Sequence, residues 1–172
     1  CSFCSENFKF DHEAELRGGS FIREKSVDTV IQELKEMKER YKLRYIDIKN
    51  NVLSGSKKWI SEFCEKYPKE VGLPFRVMVQ PLQLQKDYAS MLKKAGCHHV
   101  QMGIESFNAK VRKEVLLRDE TTEQVITALE KLDEAGINFS ADLILGLPGE
   151  KEEDLIYALK TLSPRKHLIR AS

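Results

Sequence analysis

The sequence is poor in the features that mark secreted and membrane proteins. It has four cysteines and one tryptophan in 172 residues, too few cysteines for a small disulfide scaffold. No apolar run approaches the roughly 20 residues of a membrane-spanning helix, and no secretory signal is present. We therefore expect reduced cysteines, no membrane partner and a cytoplasmic location.

An excess of one charge is also absent. Lys and Arg number 28 and Asp and Glu number 27, which gives a formal net charge of +1. A nucleic-acid partner is not expected, because a strong basic field is lacking. The length is that of one ordinary domain, and we expect a single domain over residues 1–172. Since the chain begins on Cys1 and ends in what looks like another strand, we expect it to be an internal piece of a longer protein.

Alternating strand and helix patterns predict an α/β fold with a parallel sheet. Apolar, β-branched segments predict strands at 44–48, 75–79, 99–104 and 139–145, and a further one starts near 167. Helical spacing predicts helices at 26–41, 56–67, 88–95, 108–117, 121–136 and 151–162. Pro68 is expected to end the second helix. Strands separated by helices in this way form parallel sheets.

Polar residues follow the predicted strands. Asn50, Gln80, Glu105 and the segment 146–150 each come where a strand ends. Because the carboxyl ends of parallel strands carry the ligand-binding loops, we expect these residues at one rim. By the same argument His98 and His99, which precede a strand, are expected away from that rim.

The cysteines allow several interpretations. Cys1 and Cys4 form a C-x-x-C pair, which is compatible with zinc binding, disulfide exchange or part of an iron-sulfur cluster. The spacing alone does not choose among them. Cys97, beside two histidines, is expected to be a small buried residue at a strand entry rather than a metal ligand, and Cys64 to be a packing residue.

Four motifs in order carry a family resemblance. They are Cys1-Ser2-Phe3-Cys4, Arg23-Glu24-Lys25-Ser26, Gly103-Ile104-Glu105-Ser106 and the segment from Asp142 to Glu150. Together they resemble the radical S-adenosylmethionine enzymes, whose C-x-x-x-C-x-aromatic-C motif matches from its second cysteine onward. The first cysteine of that motif would lie upstream. The resemblance implies a partial (β/α)6 barrel with a parallel sheet, beginning after the first strand of the family.

The same resemblance implies cofactors and a reaction. Cys1 and Cys4 would be ligands of a 4Fe-4S cluster that binds S-adenosyl-L-methionine and cleaves it reductively to a 5'-deoxyadenosyl radical, which abstracts hydrogen from a substrate. An apolar barrel lining would shield the radical. The implied cofactor-binding residues are Phe3, Asn51, Glu105, Ser106, Arg118, Ile144 and Gly146.

The resemblance also implies roles for most of these residues. Glu105 and Ser106 would bind the ribose hydroxyls, and Arg118 the cofactor carboxylate. The backbone near Ile144 and Gly146 would pack on adenine, with Phe3 at its edge. Two alternatives remain at this point: Glu105 could cap the following helix, and Arg118 could be an ion-pair partner only.

Finer resemblances point to two classes. Pro74-Phe75, Pro81 and Ala95-Gly96-Cys97 favour the cobalamin-binding class, which implies cobalamin held by a domain outside this chain. Phe107-Asn108 after Ser106 is similar to the oxygen-independent coproporphyrinogen dehydrogenases. A small-molecule or peptide substrate and an electron donor such as flavodoxin or ferredoxin are also implied.

A second function class stays open on the sequence alone. The chain could be a zinc-stabilised or metal-free α/β binding module without radical chemistry. The radical interpretation requires Cys4 to lie over the same end of the sheet as Glu105 and Gly146. The placement of these three residues therefore decides between the two hypotheses.

Overall fold

A computed structural model gives the fold of the chain. It describes Ser2, Cys4, residues 24–49, Leu53, residues 56–84 and residues 87–172. The strands are β1 Ile46–Ile48, β2 Phe75–Val79, β3 Cys97–Glu105, β4 Asn138–Leu143 and β5 Leu168–Ala171. The helices are α1 Val27–Tyr41, α2 Lys57–Glu70, α3 Tyr88–Lys94, α4 Ala109–Glu114, α5 Thr122–Glu134 and α6 Glu152–Leu162, with a short 3-10 helix at Pro81–Leu84.

The five strands form one parallel sheet in the order β1-β2-β3-β4-β5. Each strand thus lies beside the next one in the sequence. Because crossover connections between parallel strands are right-handed, an order without reversal puts every crossover helix on the same face of the sheet. This is the arrangement of a barrel wall, and the predicted α/β fold is confirmed. The wall does not close within the described residues.

Alternate residues of the strands form the core between sheet and helices. Phe75, Val77 and Val79 of β2 are buried, as are Val100, Met102 and Ile104 of β3. The residues between them point to the opposite face, which we call the inner face. Because the apolar side chains of the sheet are buried on one face, a single layer of helices is enough to cover them.

The inner face is more polar than the resemblance implied. It carries Arg76 on β2, His99 and Gln101 on β3, and Asp142 on β4, all partly exposed. The expectation of an apolar lining is therefore wrong for the described strands. The period of two explains it: most apolar residues of these strands are used on the helix side, and the inner face receives mainly polar ones, with Met78 of β2 as an apolar exception.

The helix starts agree with their sequence signals. The Ser26 hydroxyl accepts a hydrogen bond from the Thr29 amide, and Thr121 and Gln124 form a capping box.

The prediction that Pro68 ends α2 is wrong, because α2 continues to Glu70. Proline at this position removes one hydrogen bond near the end of the helix, and Gly72, with φ of 65°, closes it instead.

Strand β3 begins earlier than predicted, at Cys97. The strand therefore includes His98 as well as His99. His99 lies on the inner face, where its Nε2 is 3.1 Å from the Ser140 hydroxyl. Cys97 is 2% exposed, and burial raises the pKa of its thiol to about 12. Cys64 is buried too. Both thiols are packing residues, as expected.

No helix in the described ranges is long and apolar enough to cross a membrane.

Candidate functional site at the carboxyl ends of the strands

The end of β3 has an unusual backbone. Glu105 has a φ of 66°, in the left-handed region that non-glycine residues seldom adopt. The register to β4 shifts between Gly103 and Glu105, which is a β-bulge. The Glu105 carbonyl accepts a 2.8 Å hydrogen bond from the Ile144 amide and so fixes the bulge to the loop after β4. A bulge changes the direction in which a side chain points, and here it changes the direction of the Glu105 carboxylate.

The Glu105 carboxylate lies directly over Gly103. A Cβ atom at position 103 would be 2.4 Å from Glu105 Oε1 and 3.7 Å from Arg118 Nη1. No real contact is that short, so any side chain at position 103 would displace the carboxylate. Glycine at position 103 therefore leaves the Glu105 carboxylate in this position, whereas any Cβ there would make the end of the Glu105 side chain shift.

Arg118 joins this end of β3 to the loop before α5. Its Nη2 donates to the Gly103 carbonyl at 2.8 Å, its Nε to Glu120 Oε1 at 2.5 Å, and its Nη1 lies 3.4 Å from Glu105 Oε1. Arg118 and Glu120 are each 7% exposed. Arg118 is thus a buried ion-pair partner rather than a surface one. The contact of its Nη1 with Glu105 is long, so this nitrogen is still able to donate a hydrogen bond to a ligand.

Ionisation of Glu105 is less favourable here than in water. Burial raises the pKa of its carboxyl above the ordinary value of 4.5, and the negative charges of Asp142 and Glu120 raise it further, while Arg118 opposes them.

The helix-cap alternative for Glu105 is wrong, because the N-cap of α4 is Asn108, whose side chain accepts from the amides of Lys110 and Val111.

Arg112 connects the two ends of the loop that carries Glu105 and Arg118. It is fully buried and donates to the Ser106 carbonyl at 2.5 Å, the Glu120 carbonyl at 3.2 Å and the Thr122 hydroxyl at 2.7 Å. Burial lowers the pKa of its guanidinium. Because one side chain holds both Ser106 and Glu120, the distance between Glu105 and Arg118 depends on Arg112.

A second clamp holds the loop after β4. Glu150 Oε1 accepts the Ser106 hydroxyl at 2.7 Å, and Oε2 accepts the amide of Gly146 at 3.0 Å. Gly146 has a φ of 77° and open space where a Cβ would lie. Ser106 is 2% exposed, so its hydroxyl is committed to Glu150 in this state. Ser106, Glu150 and Gly146 thus bring the ends of β3 and β4 together.

The cysteine segment lies near this rim. Ser2, between the two N-terminal cysteines, donates from its amide to the Leu116 carbonyl at 2.9 Å and from its hydroxyl to the Val115 carbonyl at 2.6 Å. Those carbonyls precede Arg118 by two and three residues. Cys4 has a free, partly exposed thiol. Ser2 therefore lies beside the segment that carries Arg118. The condition stated on the sequence, that Cys4 lie over the same end of the sheet as Glu105 and Gly146, stays a prediction.

Three predicted site residues, Cys1, Phe3 and Asn51, lie outside the described residues. The others that are described, apart from Cys4, belong to one hydrogen-bonded assembly: Glu105, Ser106, Arg118, Ile144 and Gly146. Nothing in the sequence marked Glu120 or Arg112, which lie in an ordinary charged stretch. Glu150 was expected at the rim as part of the segment 146–150, and it precedes α6 and clamps the loop after β4.

Zinc receives no support from the described part of the chain. No set of three His, Cys, Asp or Glu side chains there could hold a metal ion. The high pKa of Cys97 also makes it a poor ligand, because metals bind the thiolate.

Known proteins are similar to this chain in sequence. An uncharacterised methyltransferase of Pyrococcus horikoshii is 25% identical over 93% of the chain and 33% of its own length. An anaerobic magnesium-protoporphyrin IX monomethyl ester cyclase of Rubrivivax gelatinosus is 25% identical over 90% of the chain and 27% of its own length. The chain thus spans about a third of the length of these relatives.

The fold has solved counterparts as well. A radical S-adenosylmethionine methyltransferase of Kitasatospora setae, solved with cobalamin and a 4Fe-4S cluster, superimposes with a TM-score of 0.73 at 16% identity, over 87% of this chain and 31% of that one. The sequence model of the radical SAM superfamily matches residues 1–162. The chain belongs to the radical SAM superfamily.

Proposed function

We propose that this chain is the core of a radical S-adenosylmethionine enzyme, with Cys1 and Cys4 as ligands of its 4Fe-4S cluster. The observation that carries the proposal is the pair of hydrogen bonds from Ser2 to Val115 and Leu116, which supports a cluster beside Glu105 and Arg118. When bound, the cluster and S-adenosyl-L-methionine supply reductive cleavage to a radical that takes hydrogen from substrate.

The rim residues fit a nucleoside and an amino-acid group. The Glu105 carboxylate can accept hydrogen bonds from ribose hydroxyls, and its position is held by Gly103 and Arg118. The Nη1 group of Arg118, whose contact to Glu105 is long, can donate to a carboxylate. Open space beside Gly146 leaves its backbone accessible to a flat ring. Phe3, Asn51 and Ile144 complete the proposed cofactor set.

Ser106 acts indirectly in this arrangement. Its hydroxyl holds Glu150, which in turn holds the amide of Gly146. While its proton is donated to Glu150, Ser106 can form the direct bond to ribose that the resemblance implies only as an acceptor from a ribose hydroxyl.

Substrate and partners follow as part of the proposal. A small molecule or peptide would be the substrate, and flavodoxin or ferredoxin the electron donor. Cobalamin, present in the structural neighbour from Kitasatospora setae, would be held outside these 172 residues.

The test is anaerobic reconstitution of the full protein that carries this chain. Iron, sulfide and a reductant are added with S-adenosyl-L-methionine, and 5'-deoxyadenosine is measured by mass spectrometry. The wild type is expected to form it and Cys4→Ala to form none, because a thiolate ligand is lost. Cys64→Ala is the matched control, since Cys64 is buried among core side chains, and should retain the activity. A wild type that assembles a cluster but yields no 5'-deoxyadenosine contradicts the proposal.

A further inference from the structure

A row of polar side chains crosses the inner face well below the rim. In parallel pairing, Asp47 lies beside Arg76 and Arg76 beside His99, while Ser140 lies beside Arg170. His99 Nε2 and the Ser140 hydroxyl, 3.1 Å apart, join the two halves. Each strand contributes one residue, and we call the five the inner-face row.

The row has more cationic than anionic groups. Arg76 and Arg170 face one carboxylate, Asp47, whose Oδ2 is 3.5 Å from Arg76 Nη1. Desolvation lowers the pKa of His99, and the charges of Arg76 and Arg170 lower it further. The imidazole is therefore neutral near pH 7, and it contributes a ring nitrogen without adding charge.

Both arginines have hydrogen-bonding capacity to spare. Arg76 Nη2 donates to Gln101 Oε1, but Arg76 Nε is buried without a hydrogen-bond partner. In the described part of the chain, no carboxylate lies within 4.0 Å of the Arg170 guanidinium, which is exposed. A buried donor without an acceptor is costly, and an anion between the arginines would satisfy it.

We propose that the inner-face row binds an anionic oxygen group of the substrate, a carboxylate or a phosphate, between Arg76 and Arg170. The identity of the occupant as the substrate rests on the proposed function. No cofactor contact is assigned to these residues, and Arg76, His99 and Ser140 lie in the amino-terminal halves of β2, β3 and β4.

The position of the row also limits the shape of the occupant. His99 and Glu105 are six residues apart on β3, and a strand rises about 3.3 Å per residue. Since the Arg76 side chain reaches up to Gln101, the anion and the rim are separated by on the order of 10–20 Å. The substrate is therefore elongated, with its anionic end away from the carbon that reacts.

The test is protection of Arg170 from an arginine-specific reagent. The full protein is treated with hydroxyphenylglyoxal at constant ionic strength, with inorganic phosphate, with succinate or with chloride, and labelling is read by peptide mass spectrometry. Phosphate or succinate is expected to slow labelling of Arg170 by roughly tenfold relative to chloride. The more effective anion identifies phosphate or carboxylate as the natural group. Arg40, on the exposed side of α1, should be labelled at one rate throughout.

A variant tests whether the two arginines act together. Arg76→Gln is expected to raise the half-protecting concentration at Arg170 by roughly tenfold, whereas Arg40→Gln removes the same charge from α1 and should not change it. If Arg76→Gln does not fold, the wild-type labelling decides alone. Equal labelling of Arg170 in all three salts, or full protection in Arg76→Gln, overturns the site.

The labelling needs neither iron nor S-adenosyl-L-methionine. Its failure contradicts the anion site alone, whereas a missing 5'-deoxyadenosine signal contradicts the proposed function alone.

Discussion

Two pairs of arginines on the same sheet are used in different ways. At the rim, Arg112 and Arg118 are buried, and their donors reach carbonyls, a hydroxyl and carboxylates. In the inner-face row, Arg76 keeps an unpartnered Nε and Arg170 is exposed. Paired donors such as those of Arg112 hold a shape, while donors that are unpartnered or weakly paired, such as Arg76 Nε and Arg118 Nη1, are able to bind a ligand. Stability measurements should therefore separate the two pairs.

The largest effect is expected at the rim for Arg112→Met. The substitution leaves the buried carbonyls of Ser106 and Glu120 without their donor, and the free energy of unfolding should fall by about 3 kcal/mol. Chemical denaturation measures it. Arg40→Met on the exposed side of α1 is the control and should change it by less than about 0.5 kcal/mol. Equal losses of unfolding free energy in Arg112→Met and Arg40→Met would contradict the structural role of Arg112.

Gly103→Ala is the next largest change. The new methyl group must displace the Glu105 carboxylate, at a cost of about 1–2 kcal/mol in unfolding free energy. In a Glu105→Ala background the obstacle is gone, so the same substitution should cost much less. A double-mutant cycle by denaturant unfolding gives the coupling, and additive effects would show that Glu105 does not set the requirement for glycine.

Glu105→Gln has a smaller and pH-dependent effect. Because the folded-state pKa of Glu105 is raised, ionisation of this carboxyl opposes folding, and the wild type loses stability as pH rises through that pKa. The glutamine variant does not ionise and should be the more stable protein at pH 7–8. Below the ordinary value of 4.5 the two should converge. Thermal unfolding across this range checks the sign, and a wild type that gains on the variant at higher pH would reverse it.

Arg170→Gln should have the smallest effect on stability, within about 0.5 kcal/mol. Its side chain is exposed and makes no ion pair among the described residues. Denaturant unfolding next to Arg112→Met gives a direct comparison of an arginine that holds the fold with one that does not. A loss as large as that of Arg112→Met would mean that Arg170 is structural.

The sequence predicted the strands and helices well because their signals are local. Apolar periodicity marked β2 and β3, and the capping residues marked α1 and α5. The limits of this reasoning are visible at Pro68, where one lost hydrogen bond near a helix end was tolerated. They are also visible at Cys97, where pairing with Phe75 begins β3 two residues before its predicted start.

The candidate site was predictable only in part. Glu105, Arg118 and Gly146 came from the family resemblance, and the structure places them in one assembly. Arg112 looks like any basic residue of an exposed helix, and its burial depends on how the following loop folds back over it. The inner-face row depends on register between neighbouring strands, which no single segment of sequence contains.

The left-handed backbone of Glu105 limits how position 105 can change. Glycine would relieve about 1 kcal/mol of conformational strain, but it would also delete the carboxylate that this turn directs over Gly103. A variant library selected for thermal resistance should therefore accumulate glycine or asparagine at position 105, whereas one selected for turnover should retain the acid.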